Sequence, residues 1–403
     1  MSNGALHGVT VIELADMVSG PFCAKVLADY GADVIKVELP SGDVARSWGP
    51  FPGDIPHPEK SGLFFFLNTN KRSITLDPGK DEGRQILLDL IRRADVLVEN
   101  KRPQQMRTWR LDYGTVSQVN PDLIMISITP FGQTGPYAEW NGYDINAFHL
   151  TASGHRYLGR PGQPPLEPGT FVADFFGAYA AAAWGLAALF GRELIGGGQR
   201  VDVSCAEVIA ALFTGAENIG GYYQDGIFER RTGVGMSLGA PATILPCKDG
   251  YVWMLALEPG QWKGLSRAMG DPDWTQLEMF LDMFNRAQNA DAMYPLITQW
   301  TMQHTKQEIM DLCQANGCPT TAIYNVKEVA DHPHIQERGF LRELDHPVLG
   351  KIKDIGPSIR LSEGVVGPQR PAPLLGQHNE EVYGSLLGMS ADKMAKLGAK
   401  GVI

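Results

Sequence analysis

Four short runs rich in apolar residues punctuate the first 130 residues. They are Val9-Thr10-Val11-Ile12-Glu13-Leu14, Ala32 to Glu38, Asp95 to Glu99 and Leu123 to Ile128. Runs this short and this rich in Val and Ile predict strands buried on both faces. Between them the apolar residues recur with helical period. A helix is predicted from Phe22 to Tyr30, opened by Gly20-Pro21 and closed by Gly31. A second runs from Glu82 to Arg93, with Ile86, Leu87, Leu90 and Ile91 on one face. Ile74-Thr75-Leu76 reads as a short extended piece, and a short helix is predicted near Thr115 to Val119. Strand–helix–strand units in series predict an α/β fold, a mostly parallel sheet with helices on both faces.

Beyond residue 130 the pattern changes. Ala178 to Phe190 is the longest apolar run, too short to span a membrane, and reads as a buried helix. Gly196-Gly197-Gly198 breaks the chain before another extended piece, Val201 to Ser204. Ile244 to Leu257 predicts two antiparallel strands joined at Lys248-Asp249-Gly250. Helical stretches follow to about Asn316, and a proline-rich segment runs from His332 to Pro373. The expected organisation is a large domain over 1–205, a linking helix over 206–224, a small α+β domain over 225–330, and a return segment over 331–403 that rejoins the first domain.

Within this frame one acidic residue stands out. Asp174 lies between an apolar segment and the alanine-rich helix, with no other acid between Glu167 and Glu193. It fits a helix N-cap, whose side chain accepts from free backbone N–H groups. It also fits a nucleophile kept ionised by the positive end of the helix. Both readings remain open on this segment alone.

Composition narrows the function classes. A net charge of −10 argues against nucleic acid as a general partner. Against that balance, residues 71–110 hold ten Lys/Arg and six Asp/Glu. Such a stretch serves either as solvated helix faces or as a rim for a phosphorylated ligand. Five scattered cysteines give no disulfide framework and no paired metal-ligand spacing, which suits a reducing cytoplasm. No secretory signal is expected at the N-terminus. A dinucleotide site is disfavoured because the first turn, Leu14-Ala15-Asp16-Met17-Val18-Ser19-Gly20, lacks the GxGxxG approach to a pyrophosphate.

Several motifs together resemble the family III CoA-transferases. They are Leu6-x-Gly8-Val9-x-Val11, Ser19-Gly20-Pro21, Leu27-Ala28-Asp29-x-Gly31-Ala32-Asp33, and Asn68-x-Asn70-Lys71-Arg72-Ser73. Further on come Ala94-Asp95-Val96-Leu97-Val98-Glu99-Asn100, Phe131-Gly132-Gln133-Thr134-Gly135-Pro136-Tyr137, and Ala173-Asp174-x-x-Gly177. The resemblance implies a Rossmann-like large domain built from both chain ends, a small central domain, and two chains interlocked as rings. It implies Asp174 as catalytic nucleophile and CoA contacts at Val18, Ser19, Asn70, Lys71, Asn100, Lys101, Arg107 and Arg110. Leu39 and Thr108 stand where members of the family carry phosphate-binding arginines.

The same resemblance separates activities. The racemase branch has a Gly-His-Asp motif where this chain has Gly142-Tyr143-Asp144. Tyrosine, with an ordinary pKa near 10, is a poor base at neutral pH, so CoA transfer is expected, with a 2-methylacyl-CoA racemase as the alternative. A non-catalytic CoA-binding subunit is a distant third. Acyl-CoA and a carboxylic acid are the expected substrates, with no tightly bound cofactor, no metal, no nucleic acid and no membrane. A homodimer, or a heteromer with a related subunit, is expected. Tyr143 and Phe175 are expected near the substrate pocket. Gly233, Gly235 and Gly239 are expected to supply a lid or oxyanion donors.

Overall fold

The structure, a computed structural model, describes residues 4–228, 231 and 239–403, without the side chains of 214–218. The chain divides into two compact units. The larger comprises Met1–His155, Glu167–Glu229 and Gln336–Ile403, and the smaller Arg156–Leu166 and Arg230–Ile335. Arg156–Leu166 belongs to the smaller unit although it precedes Asp174 in sequence. Arg231 holds this segment, donating to Gln163 O at 2.6 Å.

The larger unit is built on six strands: β1 (Thr10–Leu14), β2 (Asp33–Glu38), β3 (Arg72–Thr75), β4 (Val96–Glu99), β5 (Ile124–Thr129) and β6 (Arg200–Ser204). They pair in the order β3-β2-β1-β4-β5-β6, all parallel. The crossovers are α1 (Ser19–Asp29), α2 (Gly62–Asn68), α3 (Asp81–Ile91), α4 (Pro103–Thr108) and α5 (Tyr113–Val119). After β5 come α6 (Asp144–Leu150), α7 (Ser153–Tyr157) and α8 (Val172–Ile195), and α9 (Cys205–Ile209) follows β6. One face of the sheet packs Ile12, Ile35, Ile74 and Leu97 against Leu87 and Leu90 of α3. The opposite face carries α1 and α8. At Gly185 a Cβ would lie 2.2 Å from Ile126 Cδ1, so only hydrogen lets α8 lie this close to β5.

Both chain ends build this unit. Tyr383 donates its hydroxyl to Thr75 O at 2.6 Å, and the Asp77 N–H reaches Val402 O at 2.7 Å. The return segment also forms a hairpin, β10 (Leu341–His346) with β11 (Gly350–Ile355), that the sequence pattern had not suggested. In the smaller unit β7 (Ala242–Cys247) and β8 (Gly250–Leu255) form the expected hairpin, joined by β9 (Thr320–Ala322). Numbered in chain order, β9 precedes the β10–β11 pair. Val252, Met254, Trp262, Leu265, Ile297 and Ile309 form the core of the smaller unit.

Candidate active site

The order of the sheet reverses at β1, which has β2 on one side and β4 on the other. In open parallel sheets the crevice at the carboxyl ends of such strands receives ligands. The loop after β1 ends at Val18, with Ser19 opening α1, and the loop after β4 holds Asn100 and Lys101. The two loops are tied together. Asn100 Oδ1 accepts the Asp16 N–H at 3.0 Å, and its Nδ2 donates to Asp16 O at 2.7 Å and Ser19 Oγ at 3.2 Å. Lys101 pairs with the Asp16 carboxylate. Gly20 is required here, since a Cβ would lie 2.3 Å from Ala15 Cβ.

The other expected CoA contacts are dispersed. Lys71 is buried: its ammonium donates to Pro21 O at 2.7 Å and Asn68 Oδ1 at 2.8 Å, and lies 2.7 Å from Glu13 Oε2. It therefore does not reach a solvent-facing rim. Burial, with Lys36 and Lys25 nearby, outweighs Glu13 and pushes its pKa down to about 8. Asn70 is buried as well, donating to Asp29 and Gly367 O and accepting the N–H groups of Gln369 and Arg370. It pins the return segment. Arg107 and Arg110 are exposed. Arg107 pairs with Glu139, whose second oxygen accepts the Gln104 N–H at 3.0 Å. Leu39 is exposed, and the Thr108 hydroxyl turns back to Gln104 O at 2.8 Å.

Asp174 is not the cap of its helix. Phe171 occupies the N-cap, without a capping side chain, and Asp174 sits in the first turn. The capping acceptor comes from elsewhere in the chain. Asp144, buried at the start of α6, accepts the Asp174 N–H at 2.9 Å, and the Ala173 N–H also favours its charge. This spends helix-end donors that would otherwise have stabilised Asp174 in its ionised form. Burial first, then the negative charge of Asp144, pushes the Asp174 carboxyl up to about 7. Burial raises Asp144 too. Among the described residues no lysine or arginine forms an ion pair with Asp174. Its partner Asp144 was missed at the sequence level because it lies thirty residues upstream, beside the more conspicuous Tyr143.

Beneath this turn lies Cys205 of α9. A Cβ at Gly177 would stand 2.6 Å from Cys205 Sγ, so the glycine of the Asp-x-x-Gly sequence sets how deeply α8 seats. Burial and the two carboxylates raise the thiol well above its usual value. Phe175 points toward α1, with Phe22 edge-on at 4.8 Å and Phe66 at 6.3 Å. Phe171 packs against Trp48 at 5.8 Å. The Tyr143 side chain is 78% exposed, and its N–H is accepted by Asn146 Oδ1. Gly233 and Gly235 lie outside the described residues. Gly239, in the smaller unit, abuts Leu257, where an added Cβ would come within 2.9 Å of Cδ2. Among the described residues no group of three His, Cys, Asp or Glu could hold a metal ion.

The sheet is an open, all-parallel α/β sheet whose order reverses at β1, with a carboxylate in the first turn of the apolar helix α8. Residues 6–379 match the family described as CoA-transferase family III, and the chain belongs to that family as a CoA-transferase. It is 35% identical over 403 residues to a succinyl-CoA–D-citramalate CoA-transferase of Chloroflexus aurantiacus, covering 99% of this chain and 98% of that one. It is 32% identical to a formyl-CoA:oxalate CoA-transferase of Rhodopseudomonas palustris, covering 99% and 97%. The fold matches the crystal structure of a CaiB/BaiF family protein from Brucella suis. The TM-score is 0.84 at 30% identity, with 95% of this chain and all of that one covered.

Proposed function

We propose that this enzyme moves CoA from an acyl-CoA to a free carboxylic acid through covalent intermediates on Asp174. The observation that carries the reading is a carboxylate in an apolar first turn, without an ion pair among the described residues, whose backbone N–H is accepted by a second carboxylate that raises its pKa. A carboxylate oxygen of Asp174 attacks the thioester carbonyl and expels CoA thiolate, leaving a mixed anhydride. The thiolate attacks the aspartyl carbonyl and expels the donor acid, leaving an aspartyl-CoA thioester. The acceptor carboxylate reverses the sequence, forming a second anhydride and then the new acyl-CoA, and Asp174 is regenerated. Each step exchanges one acyl bond for another, so no net proton or electron is consumed.

The CoA moiety is assigned to the crevice between the loops of Val18–Ser19 and Asn100–Lys101. Lys101, Arg107 and Arg110 are the cations available to its phosphates, while Lys71 and Asn70 serve the core. Tyr143 and Phe175 are assigned the edge of the acid pocket. Both relatives above name a dicarboxylic acid as acceptor, which makes small dicarboxylates the first substrates to try. Two copies are assigned to the working assembly. In support, α8 presents Trp184, Phe190 and Leu194 to solvent, each at least two-thirds exposed. This is also the described helix long and apolar enough to cross a membrane, and its Ala178, Ala181, Ala182 and Gly185 are buried. Five buried free cysteines favour a cytoplasmic setting.

The test is exchange. Succinyl-CoA or formyl-CoA is offered with a panel of mono- and dicarboxylates in heavy water, and new thioesters are read by mass spectrometry. Transfer is expected only when an acid is added, with a hydroxylamine-cleavable CoA adduct on Asp174. Rapid deuterium uptake at the α-carbon of a 2-methylacyl-CoA without any acceptor would move the assignment to racemisation.

A further inference from the structure

The segment from Ala15 to Pro21 is held at both ends by two buried lysines that share one buried carboxylate. Glu13 faces Lys36 across the β1–β2 pairing, with Oε1 2.8 Å from Lys36 Nζ and Oε2 2.7 Å from Lys71 Nζ. Lys36 donates to Ala15 O at 3.0 Å, where the loop begins. Lys71 donates to Pro21 O at 2.7 Å, where the loop has become α1. Between these ends stands Met17, whose φ of +59° is a left-handed conformation that non-glycine residues seldom adopt. What holds it there is Asp43. One oxygen lies 2.8 Å from Lys36 Nζ, and the other accepts the Met17 N–H at 3.0 Å and the Ala45 N–H at 2.8 Å. Glu13, Lys36, Lys71 and Asp43 are all buried.

This arrangement exceeds what stability asks. A buried ion pair satisfies itself by pairing, whereas here Lys36, Lys71 and Asp43 each send a further bond to the backbone between Ala15 and Pro21. Those bonds converge on residues next to Val18 and Ser19, at the crevice where the sheet reverses. We propose that Asp43 is a positioning residue for CoA binding: through the Met17 N–H it fixes the left-handed turn that shapes the first CoA loop. The proposal rests on assigning CoA to that crevice.

The experiment uses the full chain, with CoA affinity by calorimetry, acyl-CoA steady-state kinetics, and thermal unfolding as a check on folding. Asp43→Ala removes the acceptor, and about a tenfold rise in the CoA dissociation constant and in KM is expected, equivalent to about 1.4 kcal/mol. Its kcat at saturation should stay within about twofold of the wild type, since Asp174 is untouched. Asp43→Asn retains an oxygen for the Met17 N–H, and its affinity should lie within about threefold of the wild type. Glycine adopts positive φ without strain, so Met17→Gly combined with Asp43→Ala should recover most of the lost affinity relative to Met17→Gly alone. If Asp43→Asn fails as badly as Asp43→Ala, charge compensation and not loop shape is the role, and the proposal falls. It falls equally if Met17→Gly gives no rescue, or if Asp43→Ala binds CoA like the wild type. Should the wild type itself bind no CoA, the fault lies with the functional reading beneath it.

Discussion

Two clusters of buried charge lie in the larger unit, and they obey opposite rules. Around β1 and β2, cations and anions alternate. Lys36 is pushed above its ordinary pKa, because Asp43, Glu13 and Glu38 together outweigh the cost of its burial. Arg46 binds Glu38 through two nitrogens, at 2.7 and 2.8 Å, and reaches Glu59 at 2.7 Å. At the start of α8, Asp144 accepts the backbone N–H of Asp174, neither carboxylate has an ion pair among the described residues, and Asp174 rises to about 7. Compensated burial builds architecture, because each buried charge has an opposite charge beside it. Uncompensated burial raises the energy of an ion, and that is the condition of a group kept ready to form a covalent bond. The difference separates a scaffold from a reactive centre more reliably than burial alone.

Neutralising one carboxylate in each cluster gives the sharpest break in this comparison. Asp174→Asn is expected to lower kcat by about a thousandfold or more, with CoA binding retained. It should also stabilise the fold, and the sign follows from the shift. A carboxyl near 7 in the folded chain and 3.8 in the unfolded one weakens the fold where the carboxylate must ionise. That penalty is absent below about pH 4, grows between 4 and 7, and is complete above 7. The variant's advantage in urea unfolding should therefore be largest at pH 8 and fade by pH 4. Glu13→Gln should do the reverse, leaving two lysines poorly compensated and costing about 3–5 kcal/mol at neutral pH. If both substitutions changed stability in the same direction at pH 8, the contrast would be lost.

A middle-sized effect is expected where α8 meets α9. Gly177→Ala places a Cβ against Cys205 Sγ, and overpacking of this kind costs about 1–3 kcal/mol. The displacement would lift the first turn of α8 away from Asp144, so activity should fall along with the melting temperature. Cys205→Gly in the same chain removes the obstructing sulfur and should restore both. Failure of the pair to recover would show that Gly177 is needed for something other than this contact.

How much of this was legible in the sequence depended on range. The strands of the central sheet were readable because Val, Ile and Leu crowd into short runs. The β10–β11 hairpin was not, because its exposed strands carry Arg342, Glu343, Lys351 and Lys353 among prolines. Asp174 was visible as an acid isolated in apolar sequence, although its place in the first turn, not the cap, required the helix to start at Val172. Lys71 read as one cation in a basic stretch. Its burial is decided by Glu13, Asn68 and Pro21, and by the packing of β1 against its neighbours, which no local pattern records. Asp144 was hidden for the same reason: its bond to the Asp174 backbone exists only once α6 and α8 are folded together.

The smallest and most discriminating effect concerns that bond. Asp144→Asn keeps an oxygen for the Asp174 N–H but removes the negative charge beside the nucleophile. The active form of Asp174 is the carboxylate, so the acid limb of kcat/KM should lie near pH 7 in the wild type. Without the neighbouring charge the carboxylate becomes easier to form, and the limb should move to lower pH. Burial is the larger cause of the shift and is unchanged, so the move should be about half a unit to one unit, leaving Asp174 well above 3.8. A pH–rate profile from 5 to 9 on both proteins measures it, with the pH-independent plateau as internal control. A limb that stays in place would mean that Asp144 is already neutral in the folded enzyme and acts only as a cap. A limb that moves upward would mean that Asp144 assists ionisation, and the opposition drawn between the two clusters would no longer hold.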